Sequence, residues 1–235
     1  MSTVVTPTAI PVSRRDPAVV HVDAVDAVDA AVRAAEETGA RAILIERAPQ
    51  EAAASDPSSG MARRVLAAAD VPAVTVGRHA TGLPRRVIVA TDFSPHSLHA
   101  ARVALDFVAA DATVIIAHVR PHIAAAGPTR DHWDHTYERV LPTMFAGLRA
   151  ELAAPRGVRI ETVSLDGGPA GRRLIELAAA TGADLIVSGT HGHGGGARLA
   201  LGDVAAALLR GAPCSTLLVP GAACVRHHFV PNCPE

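Results

Sequence analysis

The sequence predicts an α/β fold with an open sheet of five parallel strands. From residue 85 onward, short runs of valine and isoleucine alternate with segments whose apolar residues recur at helical spacing, as in successive strand–helix–strand units. Apolar residues make up 49% of the 235 residues, but aromatic residues only 3%. A core of small aliphatic side chains suits parallel strands covered by helices.

The first strand–helix unit is the clearest. Residues 87–90 form a β-branched run typical of a buried strand. Ser94 is a good N-cap and Pro95 suits the first helical position, so a helix should begin there. Its apolar residues at helical spacing are Leu98, Ala101, Leu105 and Val108.

The rest of this segment predicts four more strands and three more helices. We place the strands at 113–118, 158–165, 184–188 and 215–219, and the helices at 133–153, 172–180 and 203–210. Pro142 should disturb or break the second helix, because proline removes a backbone donor inside a helix.

The first 80 residues resemble part of the same domain. Residues 37–45 echo 180–188, and residues 71–76 echo 212–217; upstream, 19–22 and 30–35 match the third strand and third helix. We therefore predict an N-terminal extension (1–17), a degenerate half-domain (18–80), a complete domain (85–220) and a C-terminal tail (221–235). A chance match between two alanine-rich segments is the alternative. A half-domain should pack on the full one, with its last strand pairing with 215–219 to cover an exposed edge.

Composition limits the function. The net charge of −1 gives no reason to expect a nucleic-acid or membrane partner. The chain has no lysine, which excludes a Walker-type phosphate loop. No signal peptide or transmembrane run is visible, so we expect a cytoplasmic protein. The three cysteines are too few for a disulfide scaffold, and the Cys/His tail fits no standard zinc spacing.

The glycine-rich segment 189–203 carries the strongest functional signal. It begins where a strand ends and finishes where a helix starts, the usual ligand-binding position in open α/β sheets. Glycines let backbone N–H groups approach an anion, and a helix N-terminus favours negative charge. With no lysine, backbone donors and Arg198 would have to hold a phosphate chain. A flexible surface loop is the alternative.

Several motifs together resemble the universal stress protein family. They are Val-Ile-Val-Ala-Thr-Asp-Phe-Ser at 87–94, His-Val at 118–119, Gly-x2-Gly-x9-Gly at 189, 192 and 202, and Gly-Ala-Pro-Cys at 211–214. The resemblance covers the whole C-terminal domain. It implies a Rossmann-like sheet of strand order 3-2-1-4-5 with helices on both faces, and ATP binding, as in many family members.

The resemblance also implies site residues. Ala90, Thr91 and Asp92 would face the adenosine and Val119 the base. The remaining nucleotide-binding residues that it implies, mostly along the phosphates, are Gly189, Thr190, His191, Gly192, Gly202, Asp203 and Val204. As an acceptor at a strand end, Asp92 suits the amino and hydroxyl donors of adenosine; the alternative is a turn residue that caps local backbone.

One position departs from the family. Asp203 stands where nucleotide-binding members have serine or threonine. A carboxylate there makes a good N-cap, but it would repel a phosphate about 4 Å away by roughly 4 kcal/mol at an effective dielectric near 20. Mg²⁺ or Mn²⁺ could bridge the two charges, or the site could prefer ADP or AMP.

The sequence thus favours a nucleotide-responsive regulatory or signalling module, with an unknown protein partner. A nucleotide-free scaffold that acts through protein–protein contact is one alternative. A slow metal-dependent ATPase is another, although we find no convincing nucleophile–base–acid set. The resemblance suggests a homodimer, whereas the half-domain suggests a monomer with an intrachain pseudo-dimer.

Overall fold

The computed structural model describes residues 19–22, 28–46, 57–76, 82–121, 128–191 and 201–221. The strands are β1 (Val19–Val22), β2 (Ala42–Glu46), β3 (Ala73–Val76), β4 (Arg86–Ala90), β5 (Thr113–Val119), β6 (Arg159–Leu165), β7 (Leu185–Gly189) and β8 (Ser215–Val219). The helices are α1 (Val28–Thr38), α2 (Pro57–Ala68), α3 (Pro95–Leu105), α4 (Pro128–Ala150), α5 (Ala170–Thr181) and α6 (Asp203–Gly211). None of the helices in these ranges has the length and hydropathy that a bilayer crossing requires.

The strands form one eight-stranded sheet in the order β1-β2-β3-β8-β7-β4-β5-β6. All neighbours are parallel except β3 and β8. The five strands from β4 to β8 therefore have the predicted order 3-2-1-4-5, which is confirmed. The chain runs from β4 outward to β6, then returns to the other side of β4 as β7. This reversal between β4 and β7 is where an open α/β sheet binds its ligand.

Helices cover both faces of this five-stranded part. On one face, α3 and α4 pack over alternate strand residues such as Val87, Val89 and Ile116. On the other, α5 and α6 pack over Ile88 and Ile186. Burial on both faces explains why β4 and the start of β7 are continuous apolar runs, whereas the edge strand β6 alternates polar and apolar residues. The predicted two-faced architecture is confirmed.

Helix α4 differs from its prediction. It begins at Pro128, earlier than the predicted residue 133, and continues through Pro142 to Ala150. The predicted break at Pro142 is therefore wrong. Leu141, on one side of the proline, and Phe145, on the other, are both buried in the core. Their packing holds the helix together across a residue that costs about 3 kcal/mol in a helix interior.

The pairing predicted for the last N-terminal strand, β3, is confirmed. Strand β3 pairs antiparallel with β8, with Ala73 opposite Leu218 and Thr75 opposite Thr216. The helices α1 and α2 share a core with Ala205 and Leu218 of the C-terminal part. The pairing covers the edge of β8 that would otherwise lie open.

Strand β1 has a different neighbour from the strand that it matches in sequence. Residues 19–22 match the third strand, which is β6, the far edge of the sheet. Instead, β1 pairs directly with β2, just as β4 pairs with β7. Within the part of the chain that the structure describes, this pairing covers the edge of β2. The degenerate half-domain itself stays a prediction.

Candidate functional site

A cavity of about 200 Å³ opens at the carboxyl ends of β4, β5 and β7, at the point where the strand order reverses. The first turns of α5 and α6 close its other side. Every predicted site residue except Gly192, which lies outside the described residues, lines it: Ala90, Thr91, Asp92, Val119, Gly189, Thr190, His191, Gly202, Asp203 and Val204. Residues far apart in sequence thus converge on one cavity.

Other lining residues were not predicted: Ser97, Ala117, His118, Ala170, Leu174, Ser188 and Ala205. Ala170 and Leu174 come from α5, for which the sequence carries no motif. In the sequence, His118 stands out only as half of the His-Val pair at 118–119. Its polarity within the apolar run of β5 was the signal that could have identified it.

The turn after β4 is held by local hydrogen bonds. Asp92 Oδ1 accepts from the Ser94 backbone N–H at 3.0 Å and from its hydroxyl at 2.6 Å. The Phe93 N–H donates to Thr91 Oγ1 at 3.0 Å. Ser94 caps α3, as predicted, by accepting from the Ser97 N–H. Asp92 therefore acts as a turn residue with one oxygen, and the turn fixes its carboxylate at the cavity.

His118 joins this turn to α4. Its Nδ1 lies 2.8 Å from the Thr91 carbonyl oxygen, and its Nε2 lies 2.6 Å from the Tyr137 hydroxyl. Burial lowers the pKa of His118 below 6.5, outweighing the opposite effects of Thr91 and Asp92. Since a carbonyl can only accept, the neutral ring carries its proton on Nδ1, and Nε2 accepts from Tyr137. Burial likewise raises the pKa of Tyr137.

The two described ends of the glycine loop are pinned to each other. The Gly202 N–H donates to the Thr190 carbonyl, and the Thr190 N–H donates to Val219, each at 2.9 Å. A Cβ on Gly202 would lie 3.0 Å from the Thr190 oxygen, so the glycine permits this close approach. These two N–H groups donate to protein carbonyls, so backbone bonds hold the two described ends of the loop in place. Arg198 and Gly192 lie outside the described residues.

Asp203 is not the N-cap of α6. Gly202 occupies that position without a side-chain bond, and Asp203 is the first helical residue. The expected capping role is therefore wrong, although a carboxylate in the first turn still favours the helix dipole. Its side chain is exposed, so water screens its charge more than a buried site would. Among the described residues, no three His, Cys, Asp or Glu side chains lie close enough together to hold a metal ion.

Gly171 brings the two helix N-termini together. An added Cβ there would lie 2.4 Å from the Ala207 Cβ and 3.6 Å from the Val204 Cα. Only glycine allows α5 and α6 to pack this closely at their first turns. Neither helix has a side-chain N-cap, because Pro169 and Gly202 occupy those positions. Two helix ends with first-turn N–H groups therefore meet at the cavity.

The strand order, the helices on both faces of the sheet and the cavity at the reversal define a Rossmann-like α/β domain. Residues 84–220 match the model of the universal stress protein family. A universal stress protein of Methanocaldococcus jannaschii is 32% identical over 148 residues, which is 60% of this chain and 85% of that protein. The chain belongs to the universal stress protein family.

Solved structures share the fold. A universal stress protein from Archaeoglobus fulgidus aligns over 83% of this chain and 65% of its own, with a TM-score of 0.53 and 19% identity. This chain therefore spans about two thirds of that structure. A protein of unknown function from Pseudomonas aeruginosa PAO1 aligns over 83% and 68%, with a TM-score of 0.58 and 16% identity. The aligned part, 83% of this chain, is longer than residues 84–220 alone. The likeness in fold therefore extends to residues that precede 84.

Proposed function

We propose that the cavity binds an adenine nucleotide and that the protein is a nucleotide-responsive regulatory module. The observation that carries this proposal is the convergence of three strand ends and two helix N-termini on one cavity at the reversal of strand order. That place in an open α/β sheet is where nucleotides bind. Membership of the universal stress protein family supports the same assignment.

The strand side of the cavity suits the nucleoside. Val119 and Leu174 provide apolar surface for a base, and Asp92 places a carboxylate at the end of β4. A carboxylate accepts from ribose hydroxyls or from the amino group of adenine. The turn bonds that orient Asp92 reduce the entropy lost on binding.

The helix side suits the phosphates. Asp203, Val204 and Ala205 all line the cavity, and their backbone N–H groups belong to the first turn of α6. First-turn N–H groups have no intrahelical acceptor, and the helix dipole adds to their attraction for an anion. The phosphate donors are therefore proposed to be this helix end.

Asp203 places a negative charge beside the proposed phosphate site. At about 4 Å, a carboxylate and a phosphate charge repel by roughly 1 kcal/mol in water and roughly 4 kcal/mol at a dielectric near 20. The exposure of Asp203 favours the lower figure. Since micromolar affinity corresponds to about 8 kcal/mol, ATP binding survives this repulsion even without a bridging Mg²⁺ or Mn²⁺.

Calorimetric titration of the full chain with ATP, ADP and AMP, with and without Mg²⁺, tests the proposal. Ala170→Phe should abolish binding, because Ala170 lines the cavity at the start of α5. The matched control is Ala180→Phe, on an exposed position of the same helix. Binding that survives Ala170→Phe would place the ligand elsewhere. Metal-dependent turnover of ATP would indicate the slow ATPase instead.

We also propose that residues 18–80 are a partial copy of the domain that replaces a second subunit. The echo of 71–76 in 212–217 makes Thr75 the equivalent of Thr216. These two residues are also direct partners across the antiparallel β3–β8 pair, and both are buried. A local two-fold axis would place equivalent residues opposite each other in this way.

A cysteine pair tests the intrachain arrangement. In a Thr75→Cys/Thr216→Cys chain, mild oxidation should form a disulfide, since directly opposed strand residues have the required Cβ separation. The product should run at monomer mass on a denaturing gel. A dimer-sized product would mean that β3 pairs with β8 of another chain. The two single-cysteine variants control for the natural cysteines.

A further inference from the structure

We propose that His118 and Tyr137 form a positioning pair that holds the Thr91–Asp92–Phe93 turn in the shape the cavity requires. The inference rests on the proposed nucleotide site. It adds a means by which α4, none of whose described side chains lines the cavity, sets the affinity of that site. Neither residue needs to touch the nucleotide through its ring.

The pair is a chain of two hydrogen bonds. Tyr137, on α4, donates its hydroxyl proton to His118 Nε2, and His118 Nδ1–H donates to the Thr91 carbonyl. His118 is 5% exposed, so losing the donor to Thr91 would leave a buried carbonyl unsatisfied. The peptide that carries this carbonyl is the one that leads directly into Asp92.

The turn is a conformation that needs external support. Phe93 has φ +63°, in the left-handed region, and is the one described non-glycine residue with positive φ. Such a conformation is strained for an aromatic residue and persists where the surroundings impose it. Here the Phe93 ring packs against His118 at 4.7 Å and against Phe145 of α4 at 5.2 Å, centroid to centroid. The same histidine thus contacts the turn through its ring and through Nδ1.

A second link from α4 flanks the same strand end. Arg120 pairs with Glu138, the neighbour of Tyr137, at 3.6 Å, and also with Asp166 after β6. Side chains alternate along β5, so His118 packs towards α4 while Val119 packs with the cluster on the opposite face. Helix α4 therefore contacts both neighbours of the residue proposed to face the base.

Asparagine and glutamine variants of His118 distinguish the two hydrogen bonds that its ring makes. His118→Asn places an amide nitrogen near Nδ1 and keeps a donor for Thr91, whereas His118→Gln places its amide near Nε2 and loses that donor. Tyr137→Phe removes only the hydroxyl. The matched control is His99→Gln, which changes another partly buried histidine, on α3, away from the turn.

Two readouts are measured on each full-length variant: the calorimetric Kd for ATP, and hydrogen exchange at the Phe93 and Ser94 amides, whose acceptors lie within the turn. We expect His118→Gln to weaken binding about tenfold, because it loses the donor to Thr91. Tyr137→Phe and His118→Asn both lose the bond between Tyr137 and Nε2 but keep a donor for Thr91, so each should weaken binding about threefold. Exchange at both amides should accelerate in the same order, and His99→Gln should change neither readout.

These measurements distinguish a failure of the positioning role from a failure of the proposed function. If the wild type binds ATP, equal affinity in His118→Gln overturns the positioning role. An equal loss of ATP affinity in His118→Gln and His118→Asn, accompanied by an equal fall in melting temperature, also overturns it and indicates a merely structural role. If the wild type binds no nucleotide, the proposed function fails. The hydrogen-exchange rates at the Phe93 and Ser94 amides then test the positioning role by themselves. Faster exchange in Gln with rescue by Asn supports the positioning of the turn, and unchanged exchange overturns it.

Discussion

Replacing Asp203 with asparagine removes one negative charge from the first turn of α6 and leaves the shape of the side chain almost unchanged. Asp203 lines the cavity, and its carboxylate is the charge closest in sequence to the N–H groups proposed to hold phosphate. We expect Asp203→Asn to tighten ATP binding. Asp203→Ser, which also removes the charge and introduces a hydroxyl, should act in the same direction.

The magnitude follows from exposure. A charge pair about 4 Å apart contributes roughly 1 kcal/mol in water and 4 kcal/mol at a dielectric near 20. Because Asp203 is exposed, we expect a gain near the lower figure, which is about fivefold in Kd. Stability should change in the opposite sense, because the helix loses a favourable dipole interaction of about 0.3–1 kcal/mol. Tighter binding with a slightly lower melting temperature is thus the expected combination.

Titration calorimetry with ATP and with adenosine separates this effect from general changes in the cavity. Adenosine carries no phosphate, so its affinity should not change. The gain for ATP should shrink in high salt, because exposed charges are screened. An equal gain for adenosine, or no gain for ATP, would refute the idea that Asp203 faces the phosphates.

Three further predictions concern the fold that supports the site. Gly171→Ala should destabilise the chain by about 1–3 kcal/mol, because the added methyl group overpacks α5 on α6. Gly147→Ala, at a helical position with open space around it, should instead stabilise the chain by up to about 1 kcal/mol. Urea unfolding measures both changes. Because His118 has a lowered pKa when folded, the unfolded state binds more protons below pH 6.5, so the free energy of unfolding should fall as pH drops below that value. His118→Asn should make this slope shallower, and an unchanged slope would contradict the assignment. Deleting residues 1–80 should expose the edge of β8 and cause self-association in sedimentation experiments; a strictly monomeric product would argue against edge protection.

Much of the sheet was predictable because its signals are local. Ser94 and Pro95 mark the start of α3, and the run 215–219 coincides with β8. The place of the cavity followed from the rule for strand ends together with the glycine spacing. Even the pairing of β3 with β8 could be anticipated, since an open parallel edge needs a cover.

What could not be predicted depends on contacts between distant segments. Helix α4 survives Pro142 because apolar residues on both sides are packed in the core, which a local propensity cannot reveal. The closeness of α5 and α6 at Gly171 depends on the opposing helix. The bond from Tyr137 to His118 joins residues 19 positions apart on different elements, and no spacing rule links them.

The most direct test of the central claim is calorimetric titration of the wild-type chain with ATP, alongside Ala170→Phe and its surface control Ala180→Phe. We predict saturable binding of one nucleotide per chain in the wild type and the control, and none in Ala170→Phe, whose side chain fills the cavity. No heat with ATP, ADP or AMP in the wild type, with or without Mg²⁺, would contradict it and favour a nucleotide-free scaffold.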